Sequence, residues 1–207
     1  MMTSLPAARD RILDHGVDLL SRLGLSGVTL GVVAAEVGMS KSGLFAHFRS
    51  KETMQLALLD RTTRLANAVV VAPAMASPPG LARLRALVNR WFGWSTRAGL
   101  GGGCPVAAAL FELDDLEGEV RGAVAALESR WRSLLAELAG DAAARGELSG
   151  DLDAEQFVWE LCGIYLSHHA SRRFLKDPGA DARAAAAFAS LLGRSGAADL
   201  QTIEDAP

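Results

Sequence analysis

Apolar positions recur along this chain with a period of about 3.6 residues, the spacing that gathers them on one face of a helix. Between about Pro6 and Leu23, Leu13, Val17 and Leu20 share a face, Arg9, Asp10 and Asp14 take the other, and Gly24 supplies a stop. Thr29 offers an N-cap to a second short helix whose Leu30, Val33, Ala34 and Val37 form one stripe, ended by Gly38. Ser40 caps a third helix, from about Lys41 to Phe48, with Leu44 and Phe48 turned inward. Ser50 opens a longer helix, with Glu52 in its first turn, expected to reach Val71.

Pro73 and the Ser77-Pro78-Pro79-Gly80 cluster break the pattern and predict a linker. Beyond it Leu81, Leu84, Leu87, Val88, Trp91 and Phe92 resume the helical period, and Gly99 to Pro105 reads as a loop. Val106 to Leu113 predicts a short, nearly all-apolar helix that is expected to be buried. Val120, Val124, Leu127, Trp131, Leu134 and Leu138 trace one long stripe, and Phe157, Leu161, Ile164, Tyr165 and Leu175 trace another after Asp153. These two helices flank the Gly140 to Gly150 connection and are placed to pack antiparallel. Asp181 to Leu192 predicts an Ala-rich last helix, followed by a frayed tail.

The pattern therefore predicts an all-α fold: a three-helix helix-turn-helix domain over residues 1–50, a C-terminal helical bundle over 51–195 and a flexible tail over 196–207. Composition agrees, since half the residues are hydrophobic, only 6% are aromatic, and Ala and Leu outnumber the β-branched residues. The net charge of −3 argues at first against a nucleic-acid partner, but its distribution argues for one. Residues 1–66 carry eight Lys/Arg against six Asp/Glu, a balance of +2, and the remainder balances at −5.

The two cysteines, Cys104 and Cys162, supply neither a disulfide framework nor a zinc cluster. The first residues lack a basic segment followed by an apolar run, and no stretch approaches about 20 uninterrupted apolar residues. A cytoplasmic protein with no membrane partner is the expectation. Phosphate-cradling, zinc-protease and serine-nucleophile motifs are missing, and neither a metal nor a cofactor is expected.

Two short helices joined at Gly38 by a tight turn form a helix-turn-helix, in which the second helix enters a DNA major groove by its N-terminal end. Lys41 and Ser42 are donors at that end, His47 and Lys51 can meet phosphates, and the helix starts at Thr29 and Ser50 offer backbone N–H groups to anions. For Phe45 and His47, packing is the competing role.

This segment resembles the TetR family of regulators, through the Gly38-Met39-Ser40 turn, then Gly43-Leu44-Phe45-x-His47-Phe48 and Ser50-Lys51-Glu52. The resemblance covers about the first 65 residues by motif and the rest by helix pattern, apart from Gly102-Gly103-Cys104-Pro105 to Phe111-Glu112-Leu113-Asp114-Asp115, which looks like a stretch seen in one branch of the family. It implies phosphate contacts at Thr29 and Lys51, base-edge contacts at Lys41, Ser42 and Gly43 in the helix capped by Ser40, and backbone contacts at Phe45 and His47. It also makes the bundle a ligand-binding and dimerisation domain. The chain departs from the pattern twice: Phe45 stands where Tyr is usual and lacks its hydroxyl, and Gly31 stands where some members place a base-reading side chain.

Trp91, Phe92, Trp94, Phe111, Trp131, Trp159 and Tyr165 carry most of the bundle's aromatic surface; some of them, with Trp91, Phe92, Phe111, Trp159, Tyr165 and Cys104 foremost, are candidates for lining an effector pocket, and core or dimer interface is their competing role. Cys104 beside a helix start has either thiolate chemistry or a merely small, buried side chain to offer, whereas Cys162 reads as core. His168 and His169, adjacent on a helix, point to different sides and cannot chelate together. The acidic run Glu112 to Glu119 reads as a solvated loop rather than a cation site.

The expected function is a ligand-responsive transcriptional repressor, a homodimer on double-stranded palindromic operator DNA that is released by a small-molecule effector. The alternative is a small helical thiol-dependent enzyme or ligand carrier using Cys104.

Overall fold

Three hydroxyl side chains fix the helix starts of the N-terminal region. Thr29 Oγ1 accepts the Val32 N–H at 3.2 Å, Ser40 Oγ accepts that of Gly43 at 3.1 Å, and Ser50 Oγ accepts that of Thr53 at 3.0 Å. They open α2 (Leu30–Glu36), α3 (Lys41–His47) and α4 (Lys51–Ala66). The first helix, α1 (Leu5–Gly27), is interrupted at Gly24, whose φ of 69° and ψ of 179° are not helical. Between α2 and α3, Gly38 takes a φ of 68° while its N–H reaches the Ala35 carbonyl and the Met39 N–H reaches that of Ala34. This pair of bonds closes a helix through a left-handed residue, a conformation that glycine adopts without a Cβ penalty.

A computed structural model of the chain describes residues 5–197; of the expected tail, residues from 198 onward lie outside them. Gly196 and Ala197 are tied back to the last helix through the Gly193 and Leu192 carbonyls. Among the described residues every regular element is a helix, and none is long and apolar enough to cross a membrane.

The chain divides into two compact units. The first comprises the described residues up to 69 and residues 94–128, which hold α1 to α4, α7 (Trp94–Arg97), α8 (Pro105–Glu112) and the start of α9 (Glu119–Ala144). Its core gathers Ile12, Val17 and Leu20 of α1, Val33 of α2, Leu44 of α3, Phe48, and Met54 and Leu58 of α4, with Ala109 of α8 and Val124 of α9. Each fully buried aliphatic or aromatic side chain of this kind contributes about 1.5–3 kcal/mol. The Arg9 guanidinium lies 5.2 Å from the centre of the Phe48 ring.

The second unit comprises residues 70–93 and the described residues from 129 onward, with α5 (Ala72–Met75), α6 (Leu81–Trp91), the rest of α9, α10 (Ala154–Arg173) and α11 (Ala180–Arg194). α10 packs along α11, burying Phe157, Leu161 and Tyr165 together with Phe188 and Leu191. The expected antiparallel partner of α10 was α9; the helix that packs most closely along α10 is instead α11, which follows it after the connection from Arg173 to Ala180.

Two further expectations are corrected. The helical path does not break at Pro73: a π-helical turn, Asn67–Val71, precedes α5, which contains the proline. Proline lacks an N–H, and its ring crowds the carbonyl four residues back; the wider turn just before it relieves that clash. The short helix α8 is not wholly buried, for Phe111 is 67% exposed while Ala107 and Ala109 face the core.

Candidate nucleic-acid interface

The outer face of α3 is built by subtraction. Leu44 and Phe48 are fully buried and anchor the helix, so the residues between them must point away from the core. Lys41, Ser42 and Phe45 are exposed, with Phe45 at 53%, and Gly43 and His47 are half-buried. Packing therefore does not account for Phe45, an apolar ring held in solvent. His47 lies partly against Phe48, with ring centres 6.4 Å apart, and is otherwise half-buried.

The start of α3 is a small polar cluster. Ser40 Oγ sits 3.1 Å from Ser42 Oγ and also accepts the Gly43 N–H. The Lys41 side chain crosses the beginning of α2: a Cβ on Gly31 would stand 3.1 Å from its Cε and 3.9 Å from Thr29 Oγ1. The absence of a side chain at Gly31 thus leaves room for Lys41 and brings it near Thr29.

Lys51, at the start of α4, donates from Nζ to the Ser26 carbonyl at 3.2 Å. Neither Lys41 nor Lys51 is paired with a carboxylate among the described residues, whereas Arg22 engages Asp18 and Glu36, and Arg61 engages Asp14. Arg22 of α1 and Arg61 and Arg64 of α4 are held by nearby acids, whereas the two lysines are not. Thr29, Lys41, Ser42 and Lys51 are all exposed.

The effector candidates separate. Trp91, Phe92 and Tyr165 come together in the second unit, where Trp91 also meets the edge of Trp131 at 5.0 Å and Phe92 meets His168 at 5.3 Å. The Trp131 indole N–H in this cluster is buried without a hydrogen-bond partner. Trp159 is 67% exposed beside a groove of about 560 Å³ between α10 and α11. Cys104 and Phe111 belong to the first unit, where Cys104 is buried at the head of α8 and Phe111 faces outward.

Trp131, one of the aromatics that the sequence marked for a cavity or for core, joins this cluster. His168 was not among the sequence candidates for the pocket, because it gave no local sign of its partners. His168 Nε2 lies 2.6 Å from Asp181 Oδ1, and this hydrogen bond, with the Arg172 charge, holds the Asp181 carboxyl below its usual range. Burial and the neighbouring Arg173 and His168 charges push the His169 imidazole below its ordinary value. Among the described residues no group of three His, Cys, Asp or Glu side chains is placed to hold a metal ion.

Comparison with known proteins bears on both units. Residues 12–58 match the sequence model described as bacterial regulatory proteins, tetR family, and residues 80–188 match the one described as Tetracyclin repressor-like, C-terminal domain. The transcriptional regulator AcuR of Cereibacter sphaeroides is 28% identical over 149 residues, which span 72% of this chain and 68% of AcuR. Among solved structures, a TetR-family transcriptional regulator from Agrobacterium tumefaciens has a TM-score of 0.79 at 21% identity, covering 92% of this chain and 98% of that one. AibR, solved with isovaleryl coenzyme A and operator DNA, has a TM-score of 0.67 at 23% identity, covering 86% and 96%.

Proposed function

Because the chain belongs to the TetR family and is a DNA-binding transcriptional regulator, we propose that it works as a ligand-responsive repressor: a homodimer that holds a palindromic operator and releases it when a small organic molecule occupies the second unit. The observation that carries this reading is the outer face of α3, where Lys41, Ser42 and Phe45 are exposed on a helix anchored by Leu44 and Phe48. Lys41, Ser42 and the backbone at Gly43 read base edges, with Ser40 holding the start of the helix; Thr29 and Lys51 take phosphates; Phe45 and His47 lie against the DNA backbone.

A two-half-site operator requires two copies of α3 about 34 Å apart, so self-association belongs to the mechanism. The groove between α10 and α11, with exposed Trp159 on its rim and small Gly163 and Ala187 on its walls, supports α10 and α11 as the face that meets a second copy. The Trp91, Phe92, Trp131 and Tyr165 cluster supports an effector with a flat or apolar portion and an acceptor for the Trp131 N–H. The effector acts by binding better to a state whose α3 spacing does not fit the operator.

The reading of Cys104 as the centre of a thiol-dependent enzyme or carrier draws no support from its position, for the side chain is only 8% exposed. Fluorescence anisotropy of a labelled duplex, titrated with the purified protein at low and then physiological salt, tests the proposal, with light scattering for assembly state. A dimer whose affinity falls steeply with salt is expected; a monomer indifferent to duplex at low salt overturns it.

A further inference from the structure

We propose that Glu112 is a positioning residue for DNA binding, holding the turn to which the phosphate-facing side chains of the reader are anchored. It stands at the end of α8, 87 residues from Leu25 along the chain. Its Oε1 accepts the Leu25 N–H at 3.2 Å and its Oε2 accepts the Ser26 N–H at 2.9 Å. The same peptide unit is held from its other side, because the Leu25 carbonyl accepts the buried Gln55 amide of α4 at 2.7 Å. One peptide thus lies between an anionic acceptor and an amide donor, and each bond polarises the other.

The next carbonyl along, that of Ser26, receives Lys51 Nζ at 3.2 Å. The Val28 N–H then closes onto the Gly24 carbonyl at 3.3 Å, one residue before Thr29, the cap of α2. Lys51 and Thr29 therefore both take their positions from the turn that Glu112 clasps.

The backbone around the clasp is shaped for it. A Cβ on Gly24 would lie 2.1 Å from Glu112 Oε1, so the carboxylate occupies space that any other residue would fill. At the opposite end of α8, the Gly101 N–H meets Asp18 Oδ1 at 2.7 Å, and the Gly102 and Gly103 N–H groups meet Ser21 Oγ at 2.9 Å and Ser21 O at 3.0 Å. A Cβ on Gly102 would stand 1.8 Å from the Ser21 carbonyl oxygen. With both ends of α8 fixed to α1, the carboxylate cannot drift from the turn. Of the acidic run that follows, Asp114 merely accepts the N–H of its neighbour Asp115 at 3.0 Å.

The inference rests on the phosphate role proposed for Lys51, and its test separates the two. A duplex enriched from a random pool by the full-length wild-type protein is titrated with the wild type, Glu112→Gln, Lys51→Ala and the double variant, with circular-dichroism melts establishing that each is folded. Glutamine leaves one carbonyl for two N–H donors and sets an NH₂ group against the second. Glu112→Gln is expected to weaken binding about tenfold in the wild-type background and less than about threefold in Lys51→Ala, where the lysine it positions is gone and only the smaller Thr29 contribution is left to lose. Should Glu112→Gln fail to fold, Glu112→Asp, which keeps the charge but is one methylene short, carries the same expectation. Unchanged affinity in Glu112→Gln, or an equal loss in both backgrounds, overturns the positioning role while leaving the DNA-binding function intact. Unchanged affinity in Lys51→Ala overturns the phosphate assignment and the inference with it.

Discussion

The ring of Trp91 lies flat against that of Tyr165, with centres 3.9 Å apart and planes 12° from parallel, joining α6 to α10 inside the second unit. With Trp131 edge-on to the same tryptophan, three aromatic rings converge on one point. The stack is core of the unit, and in the function proposed above it is also the apolar surface offered to an effector.

Trp91→Ala is therefore expected to lower unfolding stability by about 3–5 kcal/mol, and Trp91→Phe by distinctly less, because a ring still faces Tyr165. Urea denaturation followed by circular dichroism measures both. A loss below about 1 kcal/mol for the alanine variant would show that the stack carries little of the unit's stability.

At the start of α4, Lys51 is exposed and free of any carboxylate among the described residues. Lys51→Ala is expected to weaken enriched and scrambled duplexes by the same factor and to reduce the slope of log affinity against log salt by about 1, the signature of one lost phosphate contact. An unaltered slope would remove Lys51 from the phosphate-binding set.

His169 gives the protein an acid limb. Its folded-state value lies below the ordinary histidine value of about 6.5 because burial, then Arg173 and His168, oppose the charged form. The unfolded chain consequently takes up the proton more readily. Stability is complete above about pH 6.5 and falls as the pH drops through that value toward the depressed folded one. The thermal midpoint of the wild type should decline between about pH 7 and 5.5, and His169→Gln should flatten that decline. Parallel pH profiles for the two proteins would contradict it.

The helix-turn-helix was legible in the sequence because each of its boundaries is set by residues a few positions apart. Thr29, Ser40 and Ser50 announce their helices through bonds to N–H groups three residues on, and Gly38 announces a left-handed turn. The docking of α8 onto α1 was not legible, since its contacts join residues more than 80 positions apart. The glycines from Gly101 to Gly103 read locally as a loop; Gly102 stands there because the Ser21 backbone passes where a side chain would be.

The same limit applies to the effector candidates. An aromatic residue at a helical spacing is marked as lining something, but periodicity does not say which of several faces. Trp91 and Tyr165 proved to be partners, Phe111 and Trp159 proved exposed, and Cys104 proved to head a helix of the other unit. The π-helical turn before Pro73 escaped notice because proline in sequence signals a break, while the wider turn that accommodates it leaves no residue signature.

The central claim, that α3 reads DNA bases through Lys41 and Ser42, is tested most directly by enriching duplexes from a random pool with the wild type and with Lys41→Ala. The account predicts that the wild type enriches a palindrome whose half-sites are centred about 10 base pairs apart, and that Lys41→Ala enriches the same spacing with different preferred bases in each half. Identical consensus sequences from the two proteins, or no enriched sequence with the wild type, would contradict it.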